Sequence, residues 1–333
     1  MQNIDFEWFS PEHEFWIEQA SEFKAPRAHG ETIPLAAYIQ MGTVGPPRSF
    51  LTNGSALWQQ RARRYRPLAL PISLFRTFAD TELTEQAIRQ FANNYGLLGR
   101  TVAILMPNVR TTSIAEGESL DAWKAEISLM KAAVHLWDLI RTRDLKALRA
   151  RVRWHPNDVV DYYAQFDIGD IVASIPELDP ETTYMDLRVL DMLDVFQAGD
   201  VVGPALFFLS RILTNKLENG VSLATSVDLA HSTLRMSFSP STLLTAMWLQ
   251  FALSVEQDED FRKCRECGKW FALAPGTGRA DKEFCSSACR SKAYRKRQAE
   301  ARALHQRGLP INAIAKQLGV EKQIVRKWIS DHE

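Results

Sequence analysis

Residues Cys264 to Arg297 read "CRECGKWFALAPGTGRADKEFCSSACRSKAYRKR", a stretch that holds every cysteine of the 333-residue chain and ends in a run of cations. The spacing is Cys264-x2-Cys267, then seventeen residues, then Cys285-x3-Cys289. Each close pair can grip a metal from one local turn, and the span between them is short enough to bring both pairs round one tetrahedral centre. Gly268 stands where a metal-binding knuckle needs positive φ. Ser286 or Ser287 can cap a helix that carries Cys289 in its first turn. A knuckle followed by a ligand at a helix start predicts a treble-clef-like finger with Cys264, Cys267, Cys285 and Cys289 as ligands of one Zn2+. Four thiolates leave no open coordination position, so the zinc is expected to be structural, with metal binding of about 10–16 kcal/mol as the folding energy of the module. Two disulfides would suit an oxidising compartment, and a redox motif needs only one Cys-x2-Cys pair. Unrelated buried cysteines would not all fall within 26 residues of a 333-residue chain.

Downstream, Arg290, Lys292, Arg295, Lys296, Arg297 and Arg302 face Glu300 alone between positions 290 and 302. Such density repels itself unless an anion is near, and phosphate is the usual one; a solvated basic helix is the alternative. In "INAIAKQLGVEKQIVRKWI", from Ile311 to Ile329, the residues Ile314, Leu318, Val320, Val325 and Trp328 fall where a helix-turn-helix buries its two helices against each other. Ala315 is small at the crossing and Gly319 lies in the turn. A second helix from about Glu321 to Ser330 would expose Lys322, Gln323, Arg326 and Lys327, with Gln suited to adenine and Arg to guanine in the major groove of double-stranded DNA. An ordinary C-terminal helical pair is the alternative here. Glu321, Lys322 and Gln323 stand where a Ser or Thr cap is common, and a preceding helix through Ala301 and Leu304 would complete a trihelical module.

Upstream, the sequence is mostly helical in period. "TEQAIRQFANNYG" opens with a cap at Thr84 or Thr81 and stops at Gly96. From Leu120 to Arg141, the positions Leu120, Trp123, Ile127, Met130, Val134 and Trp137 share one stripe of a long amphipathic helix, either core or a dimer seam. "LKALRARV", "NDVVDYYAQF" and "MDLRVLDMLDVF" read as short helices, and "VGPALFFLSRILTNKLENG" as a buried one. "VSLATSVDL" and "STLRMSFSP" alternate apolar and polar residues, which predicts two strands joined around Ala230 and His231. The first eighty residues read as loops, short strands and short helices. The fold class expected is mainly α, or α+β with a small β hairpin. Three domains are expected: a large helical one over 1–260, the four-cysteine finger with its basic helix over 261–298, and the helix-turn-helix over 299–333.

Charge divides along the same line. Residues 261–333 carry 17 Lys plus Arg against 7 Asp plus Glu, which leaves 23 against 33 for the rest of a chain with 40 of each. A basic tail and an acidic body imply an anionic partner for the tail alone. No apolar run reaches membrane-spanning length, and the acidic start lacks the pattern of a signal peptide, so a cytoplasmic protein is expected. The seven histidines never make an HExxH spacing, and no P-loop, GxGxxG or GxSxG occurs. Acid pairs such as Asp158 with Asp161, or Asp191 with Asp194, read as solvated faces. No enzyme is expected.

The helical body, strand pair, amphipathic helix, "CRECGKWF" and "FCSSACRSKAYRKR" together resemble the bacterial CGNR-type zinc-finger proteins, whose upstream region is called the ABATE domain. The motif resemblance runs from about Leu243 to Arg297; over residues 1–242 it is one of architecture. It implies a transcription regulator with the four cysteines as zinc ligands. Where that family's signature reads Cys-Gly-Asn-Arg, this chain has Cys289-Arg290-Ser291-Lys292, so no role of the Gly-Asn pair carries over. The C-terminal segment resembles the helix-turn-helix of resolvase and invertase-type proteins. The expected function is a DNA-binding regulator of transcription, as a homodimer, with residues 1–260 sensing a small-molecule or protein effector or dimerising. A nucleic-acid-processing enzyme, a protein-interaction adaptor and an RNA-binding role remain as alternatives.

Overall fold

A computed structural model of the chain describes residues 6–11, 14–19, 27–28, 31–32, 49–52, 62–99, 102–107, 112–163, 184–188, 190, 192, 194–228, 232–273 and 281–330. The chain divides into two compact units: Met1–Leu70 with Leu74–Asp258, and Pro71–Ser73 with Glu259–Glu333. Helices and small antiparallel sheets alternate, an α+β class. No described helix is long and apolar enough to cross a membrane.

The larger unit is organised around helices α1 (Leu74–Ala79), α2 (Glu85–Tyr95), α3 (Leu120–Thr142), α4 (Leu145–Arg149), α5 (Val202–Leu217) and α6 (Leu243–Glu256). Thr84 caps α2 by accepting from the Ala87 N–H at 3.2 Å, and Ser119 caps α3 by accepting from Ala122. Such caps contribute about 1 kcal/mol each. The whole predicted stripe of α3, from Leu120 to Trp137, is buried, so it is core and not a dimer seam. Trp123 lies 6.0 Å from both Phe78 of α1 and Phe91 of α2, with the rings edge to face. Helix α6 contributes Phe251, stacked on Phe75 of α1 at 4.9 Å. Two charged pairs join helices: Arg76 with Asp138, bidentate at 3.0 and 2.6 Å, and Lys216 with Glu126.

Beyond residue 80, strand content exceeds the single hairpin expected there. A four-stranded antiparallel sheet runs in the order Trp16–Gln19, Ser49–Thr52, Thr112–Ser119, Val102–Pro107. Its register places Leu51 opposite Glu118, and the Glu118 carboxylate accepts from the Leu98 and Gly99 N–H groups at 2.9 and 2.7 Å. Where helices were expected over "NDVVDYYAQF" and "MDLRVLDMLDVF", the described residues form strand at Val159–Tyr162 and at Met185 and Asp186, with turns after Asp186. Strands Val152–His155, Val159–Tyr162 and Tyr184–Asp186 form one antiparallel ladder. The reason is local: Pro156, Asn157 and Asp158 form a three-residue turn between His155 and Val159, with Asn157 and Asp158 at φ of 67° and 61° in the left-handed region that Asn and Asp tolerate in turns, and Val159, Val160 and Tyr162 favour the strand that follows. The expected strand pair is present as Val221–Asp228 with Thr233–Pro240, Val227 opposite Leu234; Ala230 and His231 lie outside the described residues.

Candidate functional site

The smaller unit begins with a hairpin. Strand Asp260–Lys263 pairs antiparallel with Trp270–Leu273, Lys263 opposite Trp270, so the first cysteine pair falls in the connecting turn. Gly268 takes φ 70° there. Its N–H donates to the Cys264 carbonyl at 2.8 Å, and the Cys264 N–H donates to the Lys269 carbonyl at 2.9 Å. The second pair straddles the start of helix α7 (Ser287–Gln306), where the Ser286 hydroxyl caps the helix by accepting from the Cys289 N–H at 3.2 Å. A hydrogen bond from the Arg265 N–H to the Glu283 carbonyl, 3.0 Å, ties the two pairs together.

The four thiol sulfurs all lie within 4.8 Å of one another. The Cys285 sulfur is 3.7 Å from that of Cys267 and 3.5 Å from that of Cys289. A tetrahedron with metal–sulfur bonds of about 2.3 Å has edges of about 3.8 Å, whereas a disulfide needs about 2.05 Å, and all four cysteines are free thiols. The donor set and spacing fit one tetrahedral ion. Burial opposes ionisation of Cys264, but the backbone N–H groups of Cys285, Cys267 and Glu266 outweigh it and bring the thiol down to about 6. Burial pushes Cys285 up to about 12 and raises Cys267 as well. Clustered thiolates repel each other, so four of them ionise together only around a cation.

Glu266, inside the first Cys-x2-Cys, forms ion pairs with Lys296 at 2.7 Å and Lys292 at 3.4 Å. The Lys296 hydrogen bond, aided by Lys292, holds the Glu266 carboxyl below its usual range. Two of the cations expected to meet phosphate are therefore partly met within the chain. Arg290, Arg295 and Arg297 are exposed on α7. Nothing in the sequence pattern singled out Glu266; an acid between two ligands and a basic helix beyond them was the available signal.

Helices α8 (Ile311–Leu318) and α9 (Lys322–Ser330) follow α7. Their core is Ala301, Ile314, Ala315, Val325 and Trp328, flanked by Leu304, Leu309, Ile311, Leu318, Val320 and Ile329. Every apolar position expected for a bihelical turn is in that cluster, and Ala301 supplies the third helix. Gly319, at φ 61°, ends α8 with its N–H on the Ala315 carbonyl. Trp328 is doubly tied to α7: its indole N–H donates to the Tyr294 hydroxyl at 2.6 Å, and its carbonyl accepts from the Arg302 guanidinium at 2.8 Å. Lys322, Gln323, Arg326 and Lys327 are all exposed on α9.

Among the described residues, the cysteine cluster is the one group of side chains placed closely enough to hold a metal ion. In the larger unit the acids noted in the sequence are dispersed. Asp158 pairs with Arg188 at 2.9 Å and Asp161 with His155 at 2.7 Å, while Asp191 lies outside the described residues. His135 meets the Arg151 guanidinium at 3.1 Å, and burial with that charge lowers its pKa. In comparisons with known proteins, no family model, curated protein or solved structure matches this chain.

Proposed function

We propose that this chain is a zinc-finger DNA-binding protein that regulates transcription, with α9 reading the major groove and the arginines of α7 gripping phosphate. The observation that carries this reading is that one helix serves both modules. Helix α7 holds Cys289 in its first turn and Ala301 of the trihelical core near its end. A 20-residue helix is a rod of about 30 Å; metal bound at one end would fix the end that carries the reader. Zinc is the metal that four thiolates in a tetrahedron suit best. It would be structural, its chemistry limited to folding the knuckle onto the helix start. The exposed quartet on α9 combines an amide, a guanidinium and two ammonium groups, the set that reads base edges and holds backbone. The resemblance to CGNR-type proteins points the same way.

The test is selection of bound fragments from random duplex DNA by the zinc-loaded full chain. The native chain is expected to recover one motif. Replacing Lys322, Gln323, Arg326 and Lys327 together by Ala is expected to abolish the motif while leaving weak general binding. Replacing Arg290, Arg295 and Arg297 by Ala is expected to weaken all duplexes alike and to reduce the slope of log K against log salt by about 3. Recovery of the same motif by the α9 variant, or indifference to sequence in the native chain, would remove the reading and favour an RNA- or protein-directed role.

A further inference from the structure

The hairpin Val221–Asp228 with Thr233–Pro240 turns an apolar face to solvent. Leu223 is 60 % exposed, Val227 63 %, Leu234 75 % and Met236 60 %. The register puts all four on one face: Val227 lies opposite Leu234, Thr225 opposite Met236, and Leu223 opposite Phe238, and period-2 alternation keeps i and i+2 together. Among the described residues, Ser237 is buried midway along the second strand, and at the base of the hairpin the Gly220 backbone lies close to Thr245 of α6. Among the described residues this is a two-stranded sheet with no third neighbour. Such a ribbon is marginal in water unless its apolar face is covered.

We infer that this face is the seam of a homodimer, with a second copy of the same hairpin as its occupant. Three features select that occupant. First, the face carries no charged residue among Val221, Leu223, Thr225, Val227, Leu234, Met236, Phe238 and Pro240, so neither nucleic acid nor a charged peptide finds a complement on it. Second, the ribbon's local dyad through the Thr225–Met236 pair exchanges Leu223 with Leu234 and Val227 with Phe238. A copy related by two-fold symmetry therefore meets apolar side chains with apolar side chains in either direction along the ribbon, as an isologous interface requires. Third, the area fits. The four side chains expose on the order of 400 Å² of apolar surface, the size of the largest patch on an ordinary monomer, which is often an interaction site. Two such faces with their rims approach the roughly 1,200 Å² at which specific interfaces begin. The alternative seam named by the sequence, the Trp and Met stripe of α3, is buried inside the fold.

The experiment is sedimentation equilibrium of the zinc-loaded full chain without nucleic acid, so it stands or falls apart from the DNA-reading proposal. The native chain is expected to be a dimer. Leu234→Glu and Met236→Glu are each expected to raise the dissociation constant by at least about 30-fold, the size of an interface hot spot, with circular dichroism and metal content unchanged. Leu206→Glu, an exposed apolar position on α5, is the control expected to leave the dimer intact. Should a glutamate variant fail to fold, hydrogen exchange of the native chain across a dilution series replaces it, with loss of amide protection on dilution expected at 221–228 and 233–240. A monomeric native chain, a dimer that survives both glutamates, equal dissociation by Leu206→Glu, or dilution-independent exchange in the hairpin overturns the inference.

Discussion

Lys216 holds its ammonium 2.9 Å from both oxygens of Glu126, and each side chain is 4 % exposed. The Trp248 ring lies 5.8 Å from the same ammonium, so the charge rests between a carboxylate and an aromatic face. Desolvating two ions cancels much of their attraction, yet removing one leaves the other buried against its interests in water. Lys216→Ala is therefore expected to destabilise the larger unit by about 3–5 kcal/mol, read from the urea midpoint. Lys216→Met combined with Glu126→Gln removes both charges and is expected to recover most of that loss. Equal losses in the single and double variants would show that the ion pair itself is net stabilising, because methionine keeps the apolar stem and glutamine the shape of the carboxylate. The contrast is Arg66 with Glu7, 3.5 Å apart and 65 % and 44 % exposed, where an exposed pair contributes under about 1 kcal/mol.

At the scale of elements, Gly319 tests how the two last helices are joined. It sits at φ 61° with no atom near an added Cβ, so Gly319→Ala meets no clash and the cost is the backbone conformation alone, about 1–2 kcal/mol. Thermal unfolding of the smaller unit is expected to shift down accordingly, and no shift would mean that the turn relaxes freely. The same locality explains what the sequence disclosed. The Cys-x2-Cys and Cys-x3-Cys pairs, Gly268, Ser286 and the α8–α9 pattern are short-range features, each set by neighbours within a turn or two, and the structure places them as the spacing implies. The capped helices α2 and α3 were legible for that reason too. Sheet was harder. "NDVVDYYAQF" has apolar residues at a spacing that serves a short helix as well as a strand, and the choice was made by Asn157 and Asp158 entering the left-handed region and by strands Val152–His155 and Tyr184–Asp186 accepting the ladder. Glu266 escaped notice because its partners Lys292 and Lys296 are more than twenty residues away, a pairing visible only once the knuckle faces the helix.

For the whole molecule, the decisive asymmetry is how each unit meets its cost of folding. The larger unit buries Trp123, Trp248, Phe75, Phe78, Phe208 and Phe251 almost completely, a core of the kind that supports a domain unaided. The smaller unit buries Phe271 at its hairpin, the two sulfur-bearing residues Cys264 and Cys285, and a helical cluster made largely of Ala, Ile and Val around Trp328. That is little apolar area for some 75 residues. Chelation should therefore act on one unit alone. Adding a strong zinc chelator to the native chain is expected to abolish the unfolding transition of Glu259–Glu333 and the helical signal of α7, because the cysteines anchor that helix at its first turn. The transition of the larger unit is expected to stay at the same temperature, and readdition of one equivalent of Zn2+ to restore the first. Two transitions that move together on chelation would mean that the units unfold as one cooperative body. A chelated chain that keeps both transitions would mean that the helical cluster around Trp328, with its ties to Tyr294 and Arg302, holds α7 without metal.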